Sequence, residues 1–364
     1  MRRKFLLKKI TFLLFFVSFI SVAQHNEEIS EQNIPVEKDL RTTIKEYISH
    51  HLLDSYDFGF FSYTNDQNEK VYFGSPLPVI LWDGGLKVFL SSKFHHGETL
   101  AEVDGNYYKL YHNKIYKTDA QGTITYDAKK HPTNVKPLDI SITKNVVFIF
   151  LVALLMFVMF TRMAKSYKTN ALPKGMGRML EPIILYIRDD IAIPNIGEKH
   201  YKRYMSYLLT VFFFIWIINL LGLTPLGVNV TNNIAVTFAL AMITFILTNF
   251  TANKSYWKHI FWMPDVPVFM KIVLAPIELL GVIIKPFSLM IRLYANITAG
   301  HIVLMSLIGM MFIFKNWIGT PLSFGLTFAL SLLELLVAAL QAYIFTMLSA
   351  LYFGSAVEEH SEHH

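Results

Sequence analysis

The chain contains no cysteine in its 364 residues. That absence excludes a disulfide framework, a thiolate nucleophile and any zinc site built on sulfur. Charge is also scarce, at 16% of residues against 53% hydrophobic ones. Ordinary soluble domains carry about 25% charged residues, so this balance points to a membrane as the solvent. No Gly-x-x-x-x-Gly-Lys-Ser/Thr loop occurs, which removes a P-loop nucleotide site. There is no internal repeat and no low-complexity tract. The formal net charge is +6, but the Lys and Arg residues flank long apolar runs instead of forming one basic face. They read as topology signals, and no nucleic acid is expected as a partner.

The chain begins with Arg2, Arg3, Lys4, Lys8 and Lys9, then an apolar core from Ile10 to Val22, with small residues at Ser21-Val22-Ala23. This pattern predicts a secretory signal peptide over residues 1–23 with cleavage after Ala23, an uncleaved signal anchor being the alternative. A twin-arginine address is only faintly matched by Arg2-Arg3-Lys4-Phe5-Leu6, because the apolar core is too strong for that route. Residues 24–140 are polar and aromatic. Turn signals at Asp83-Gly84-Gly85 and Asp119 to Gly122 separate short runs such as Tyr107 to Tyr111 and Thr123 to Tyr126. They predict a small β-rich domain outside the cytoplasm. The pairs His50-His51 and His95-His96 lack a metal-ligand spacing and read as solvated loop residues, so no metal is expected.

Residues 141–357 predict an α-helical polytopic membrane domain with five mature spans, followed by a cytoplasmic tail over 358–364. Asn145 to Thr161 is free of charge and is followed by Arg162, Lys165, Lys168, Lys174 and Arg178. Met205 to Asn253 is uncharged throughout, but Thr224-Pro225-Leu226-Gly227 and the polar patch Asn229 to Asn233 break it into two spans joined by a turn. Arg188, Lys199, Lys202 and Arg203 precede that pair and Lys254 and Lys258 follow it, so the positive-inside rule places these flanks in the cytoplasm. Gly177 to Ile187 mixes apolar and charged residues near helical spacing and predicts an interfacial helix. The stretch from Ile272 to Phe314 exceeds the ~20 residues that a perpendicular span needs, so it must tilt, bend or lie partly in the interface. After Lys315 to Pro321 the last stretch runs to Tyr352 and returns to the cytoplasm, giving a bacterial inner-membrane protein with its amino end periplasmic.

Within the last two stretches lie Glu278, Lys285, Arg292, His301 and Glu334, with Asn296 and Gln341 among them. An arginine at the bilayer centre costs on the order of 2.5–3.5 kcal/mol, so it faces a partner or a water-filled cavity. In an antiparallel hairpin turning at Lys315 to Pro321, His301 falls level with Glu334 and Arg292 with Gln341. The two layers are then about 13 Å apart along the helix. Asn296 and Ala299 share the face of Arg292, whereas His301 is turned about 180° away. Imidazole and buried carboxylate can exchange protons and a guanidinium cannot, which suggests two protonatable paths separated by a fixed charge. Plainer readings stand beside this one. Asn296 and Gln341 can be interhelical glue, Glu334 can pair with His301 to satisfy burial, and Glu278 and Lys285 can snorkel to the cytoplasmic interface. None supplies a carboxylate at the depth of Arg292, so its partner is expected on another subunit.

The run Ser288-Leu-Met-Ile-Arg292-Leu-Tyr-Ala-Asn296-Ile-Thr-Ala-Gly300 resembles the signature of subunit a of F-type ATP synthases. Leu340-Gln341-Ala-Tyr-Ile-Phe and the ending Glu358-Glu359-His360 are similar to its closing helix, and the resemblance spans Ala171 to His360. It implies two long tilted helices against a ring of c subunits, with Arg292 as the essential arginine facing the ring's carboxylate. Asn296 and Gln341 would line the path beside it, His301 and Glu334 would serve the outer half-channel, and Glu278 and Ser288 would mark the cytoplasmic exit. The implied partners are the c-ring, the subunit b stalk, the remaining ATP synthase subunits and membrane lipid. No cofactor is implied, and nucleotide chemistry falls to partner subunits. Bacterial members often carry the carboxylate on the first helix and the histidine on the second; here they are exchanged, as in mitochondrial members. The coupling ion, H⁺ or Na⁺, stays open, and the family pattern does not explain residues 24–136. A secondary transporter is the second reading, against which the lack of paired halves counts. A structural envelope protein is the third.

Overall fold

Apolar runs in lipid satisfy their backbone groups by coiling into helices. The computed structural model of the chain forms helices where those runs lie. It describes residues 54–64, 70–97, 99–129, 131–169, 175–224, 228–263, 266–313 and 317–358. The expected signal peptide with its cleavage after Ala23, the pair His50-His51, the turn residues 225–227 and most of the 358–364 tail lie outside them.

The helical order is α1 (Lys144–Thr169), α2 (Met176–Tyr186), a π-helical turn (Ile187–Ala192), α3 (Ile193–Ile196), α4 (Tyr201–Gly222), a 3-10 turn (Val230–Asn232), α5 (Ile234–Thr251), α6 (Lys254–Phe261), α7 (Val268–Ile313) and α8 (Gly319–Val357). Among the described residues, α1, α4, α5 and α8 are long and apolar enough to cross a membrane. The fifth long helix is α7, whose 46 residues measure about 69 Å at 1.5 Å per residue. Neither α7 nor the 39-residue α8 fits upright within a hydrocarbon layer about 30 Å thick. A helix does form over the stretch expected from Gly177 to Ile187, as α2, which runs on through the π-helical turn into α3.

Local chemistry sets the boundaries. The expected polar patch supplies the start of α5, where Asn233 Oδ1 accepts from the Ala235 N–H at 3.0 Å as an N-cap. Asn253, just past α5, donates from its backbone to Ala356 O and from its side chain to Val357 O, tying that loop to the end of α8. Helix α8 packs against α7 and α4, and α5 packs against α7. The rings of Tyr204 on α4 and Phe353 on α8 stack with centroids 4.4 Å apart.

Residues before α1 form three small antiparallel sheets among the described residues: β1 (Asp57–Thr64) with β2 (Lys70–Pro76); β4 (Leu86–Leu90), β3 (Pro78–Trp82) and β8 (Leu138–Asp139); and β5 (Ala101–Val103), β6 (Asn106–Tyr111) and β7 (Lys114–Thr118). Their core holds Val79, Leu81, Phe89, Phe94 and Tyr108. The Asp83-Gly84-Gly85 signal is a turn between β3 and β4, with Gly84 at φ 64. The run Thr123 to Tyr126 is not a strand. The side chain of Asn134 takes over its backbone partners, accepting from Thr125 N and donating to Thr123 O. The sheets meet the helices at the start of α1, where Lys144 N donates to Ser55 O at 2.9 Å and Asn145 N to Asp54 Oδ1 at 3.2 Å.

Candidate functional site

The 46 residues of α7 carry Glu278, Lys285, Ser288, Arg292, Asn296 and His301, and α8 carries Glu334 and Gln341. Helical rotation turns Asn296 and His301 to different sides of α7. Asn296 faces α8, where its Nδ2 donates to Gln341 Oε1 at 3.0 Å. Gln341 is only 2% exposed, so this bond answers a buried amide. His301 faces α4 instead. Its Nε2 lies 4.0 Å from the position a Cβ would take on Gly222.

Glu334 reaches from α8 onto the backbone of α7 at Gly300, where a Cβ would overlap Oε1 and stand 3.3 Å from Cδ. Glycine is what lets a carboxylate lie there. Glu334 and His301 are both buried, at 7% and 8% exposure, yet no hydrogen bond or ion pair joins them among the described residues. Both face one cavity of about 300 Å³, which Asn296, Gln341, Asn219 and Asn229 also line. A water needs roughly 10–15 Å³ of space for its centre, so the cavity accommodates several.

Three polar atoms are buried there without a hydrogen-bond partner among the described residues: Asn219 Nδ2, Asn229 Nδ2 and Glu334 Oε2. Each would cost about 1–3 kcal/mol if dry, so a polar, hydrated lumen is the consistent reading. Thr231 Oγ1 donates to Asn219 Oδ1 at 2.8 Å, which leaves the amide nitrogen of Asn219 unpartnered. Thr298 Oγ1 donates to Asn232 Oδ1 at 2.5 Å, tying α7 to the turn after α4.

Arg292 lies one turn before Asn296 on α7. It is partly exposed and makes no hydrogen bond or ion pair among the described residues. Tyr352 on α8 is within its electrostatic reach. The Lys285 Nζ stands 5.5 Å from the centroid of that same ring. Glu278, also partly exposed, lies within electrostatic reach of Lys285 and of Tyr256 on α6. Ser288 is exposed on α7 and does not line the cavity.

Of the seven expected residues, the cavity gathers Asn296, His301, Glu334 and Gln341, while Arg292, Ser288 and Glu278 follow one another away from it along α7. Gln341, expected level with Arg292, accepts its hydrogen bond from Asn296, one turn further along α7. Asn296 shares the face of Arg292, and its amide is the donor that reaches Gln341. Asn219 and Asn229 are additions. The sequence signal for Asn229 was its polar patch, read as a turn; a single asparagine inside α4 gave none.

Residues 146–354 match the family model for the ATP synthase A chain, and residues 47–140 match one described as a domain of unknown function (DUF8433). ATP synthase subunit a 2 of Chlorobaculum tepidum is 45% identical over 243 residues, covering 63% of this chain and 67% of that relative. ATP synthase subunit a of Myxococcus xanthus is 41% identical over 235 residues, covering 62% and 77%. That of Pelodictyon phaeoclathratiforme is 39% identical over 282 residues, covering 74% and 80%. With more than half its length inside one family model and a polar cavity between its two longest helices, the chain belongs to the ATP synthase A chain family, subunit a of the F-type ATP synthases.

Proposed function

We propose that this chain is the non-catalytic, ion-translocating stator subunit whose α7–α8 hairpin supplies two half-channels to a neighbouring c-ring. One observation carries the reading: among the described residues, a carboxylate oxygen of Glu334 without a hydrogen-bond partner and a buried His301 share a cavity large enough for waters, one turn from an arginine that pairs with no acid. An ion enters from outside past Glu334 and His301, crosses the cavity beside Asn296 and Gln341, and loads the ring's carboxylate. After nearly a full turn of the ring it leaves toward the cytoplasm past Ser288 and Glu278. Arg292 holds a fixed positive charge between the two paths and prevents a direct leak. Each charge that crosses 100 mV releases about 2.3 kcal/mol, so several must cross for each ATP.

The subunit b stalk and the remaining synthase subunits complete the complex, and nucleotide chemistry resides in them. A cleaved signal peptide over 1–23, an outer domain over 24–140, a membrane domain over 141–357 and a cytoplasmic tail over 358–364 fit this role. The basic flanks Arg162, Lys165, Lys199, Lys202 and Lys258 support a cytoplasmic carboxyl end. Co-purification tests the reading. Tagged chain extracted in mild detergent should bring down a c-ring, and recovery of the folded chain with no rotor subunit would refute it.

A further inference from the structure

Strand alternation in the middle sheet is apolar on both faces. Val79, Leu81 and Phe89 point into the core of the outer domain. The opposite face pairs Trp82 with Leu86, Ile80 with Val88 and Pro78 with Leu90, and Leu138 of β8 pairs with Trp82. An antiparallel sheet with a solvated face alternates apolar and polar residues. Here Trp82, Leu86, Val88, Leu90, Leu138 and Ile140 are 55%, 60%, 57%, 51%, 63% and 59% exposed. Together they expose on the order of several hundred Å² of apolar side chain, a size that marks an interaction site.

We propose that this sheet face lies in the outer boundary of the lipid bilayer, as a monotopic patch beside the first span. The sheet is tied closely to the span. β8 ends at Asp139 and α1 begins at Lys144, five residues on. Extended chain covers at most about 3.6 Å per residue, so the sheet edge stands within about 18 Å of the first turn of the span. It is not on a loose tether. Lys144 N and Asn145 N bond to Ser55 and Asp54, and Phe58 of β1 packs against the same apolar cluster as Phe148 of α1. Just below, α1 presents its own exposed apolar side chains, Phe150, Leu154 and Phe157. The sheet edge thus stands near a helix surface that lipid clothes. Trp82 adds the amphipathic ring favoured at such boundaries. All six exposed side chains are apolar, so the contact is by apolar insertion.

Site-specific photo-crosslinking in intact membranes containing the assembled complex tests this. Val88 or Leu138 is replaced in turn by p-benzoylphenylalanine, with Asp104 as the control, since Asp104 bonds Lys87 on the opposite face of β4. Irradiation should give phospholipid adducts at positions 88 and 138 and none at 104. Adducts to another polypeptide, adducts to residues 24–53 of this chain, or a fully aqueous probe at both positions would each overturn the proposal.

Discussion

The carboxylate of Glu334 on α8 lies against the backbone of Gly300 on α7, closer than any side chain at position 300 would permit. Gly300→Ala therefore forces Glu334 out of place. Overpacking of this kind costs about 1–3 kcal/mol, enough for a tenfold or greater loss of rate if it falls on the conducting state. ATP-driven acidification of inverted vesicles should drop accordingly with the amount of assembled complex unchanged, and Gly300→Ala with Glu334→Asp should recover part of it. Unaltered pumping in the single variant would show that the close contact is not used.

The pair Asn296–Gln341 is unequal, because Gln341 is buried and Asn296 is exposed. Asn296→Leu strands a buried amide, at about 1–3 kcal/mol. Adding Gln341→Leu removes the stranded group, so the double variant should unfold at a higher temperature than Asn296→Leu alone. Purely additive losses in thermal unfolding of the purified chain would contradict a direct bond.

Asn219→Leu takes a donor out of the cavity and the acceptor from Thr231. Passive proton flux through membranes stripped of the catalytic sector should slow several-fold, while Thr210→Val, exposed on the same helix with its hydroxyl donating to Ser206 O, should leave it unchanged. Equal flux in both variants would remove Asn219 from the path.

In the β-rich domain, a hydrogen bond from Lys117 at 2.7 Å, with another from Tyr108, holds the Asp83 carboxyl below its usual range. A depressed acid stabilises the fold above its unfolded value of about 3.9, and that contribution is lost as pH falls through the folded value. The pair is partly exposed, so the effect is about 0.2–1 kcal/mol. Asp83→Asn should weaken hydrogen-exchange protection of Lys114–Thr118 at neutral pH, and the difference should vanish in acid. A difference that grows on acidification would contradict the assignment.

The spans were legible because lipid tolerates so little charge: the charge-free runs before Arg162 and between Arg203 and Lys254 became α1, α4 and α5. His301 and Glu334 were legible as cavity neighbours because residue counting along a hairpin estimates depth. Which group meets Gln341 was not, since Arg292 and Asn296 share one face of α7 and residue counting does not separate neighbouring turns. Asn219 was invisible because one amide in an apolar helix looks like glue until a cavity is seen beside it. The apolar outer face of β3 and β4 was hidden for a related reason, as strands apolar on both faces read as simply buried.

The most direct test of the central claim is ATP-driven proton pumping by vesicles carrying Arg292→Ala. Pumping should be abolished while assembly with the c-ring persists. A fully coupled Arg292→Ala complex would contradict the role of that charge as the barrier between two half-channels.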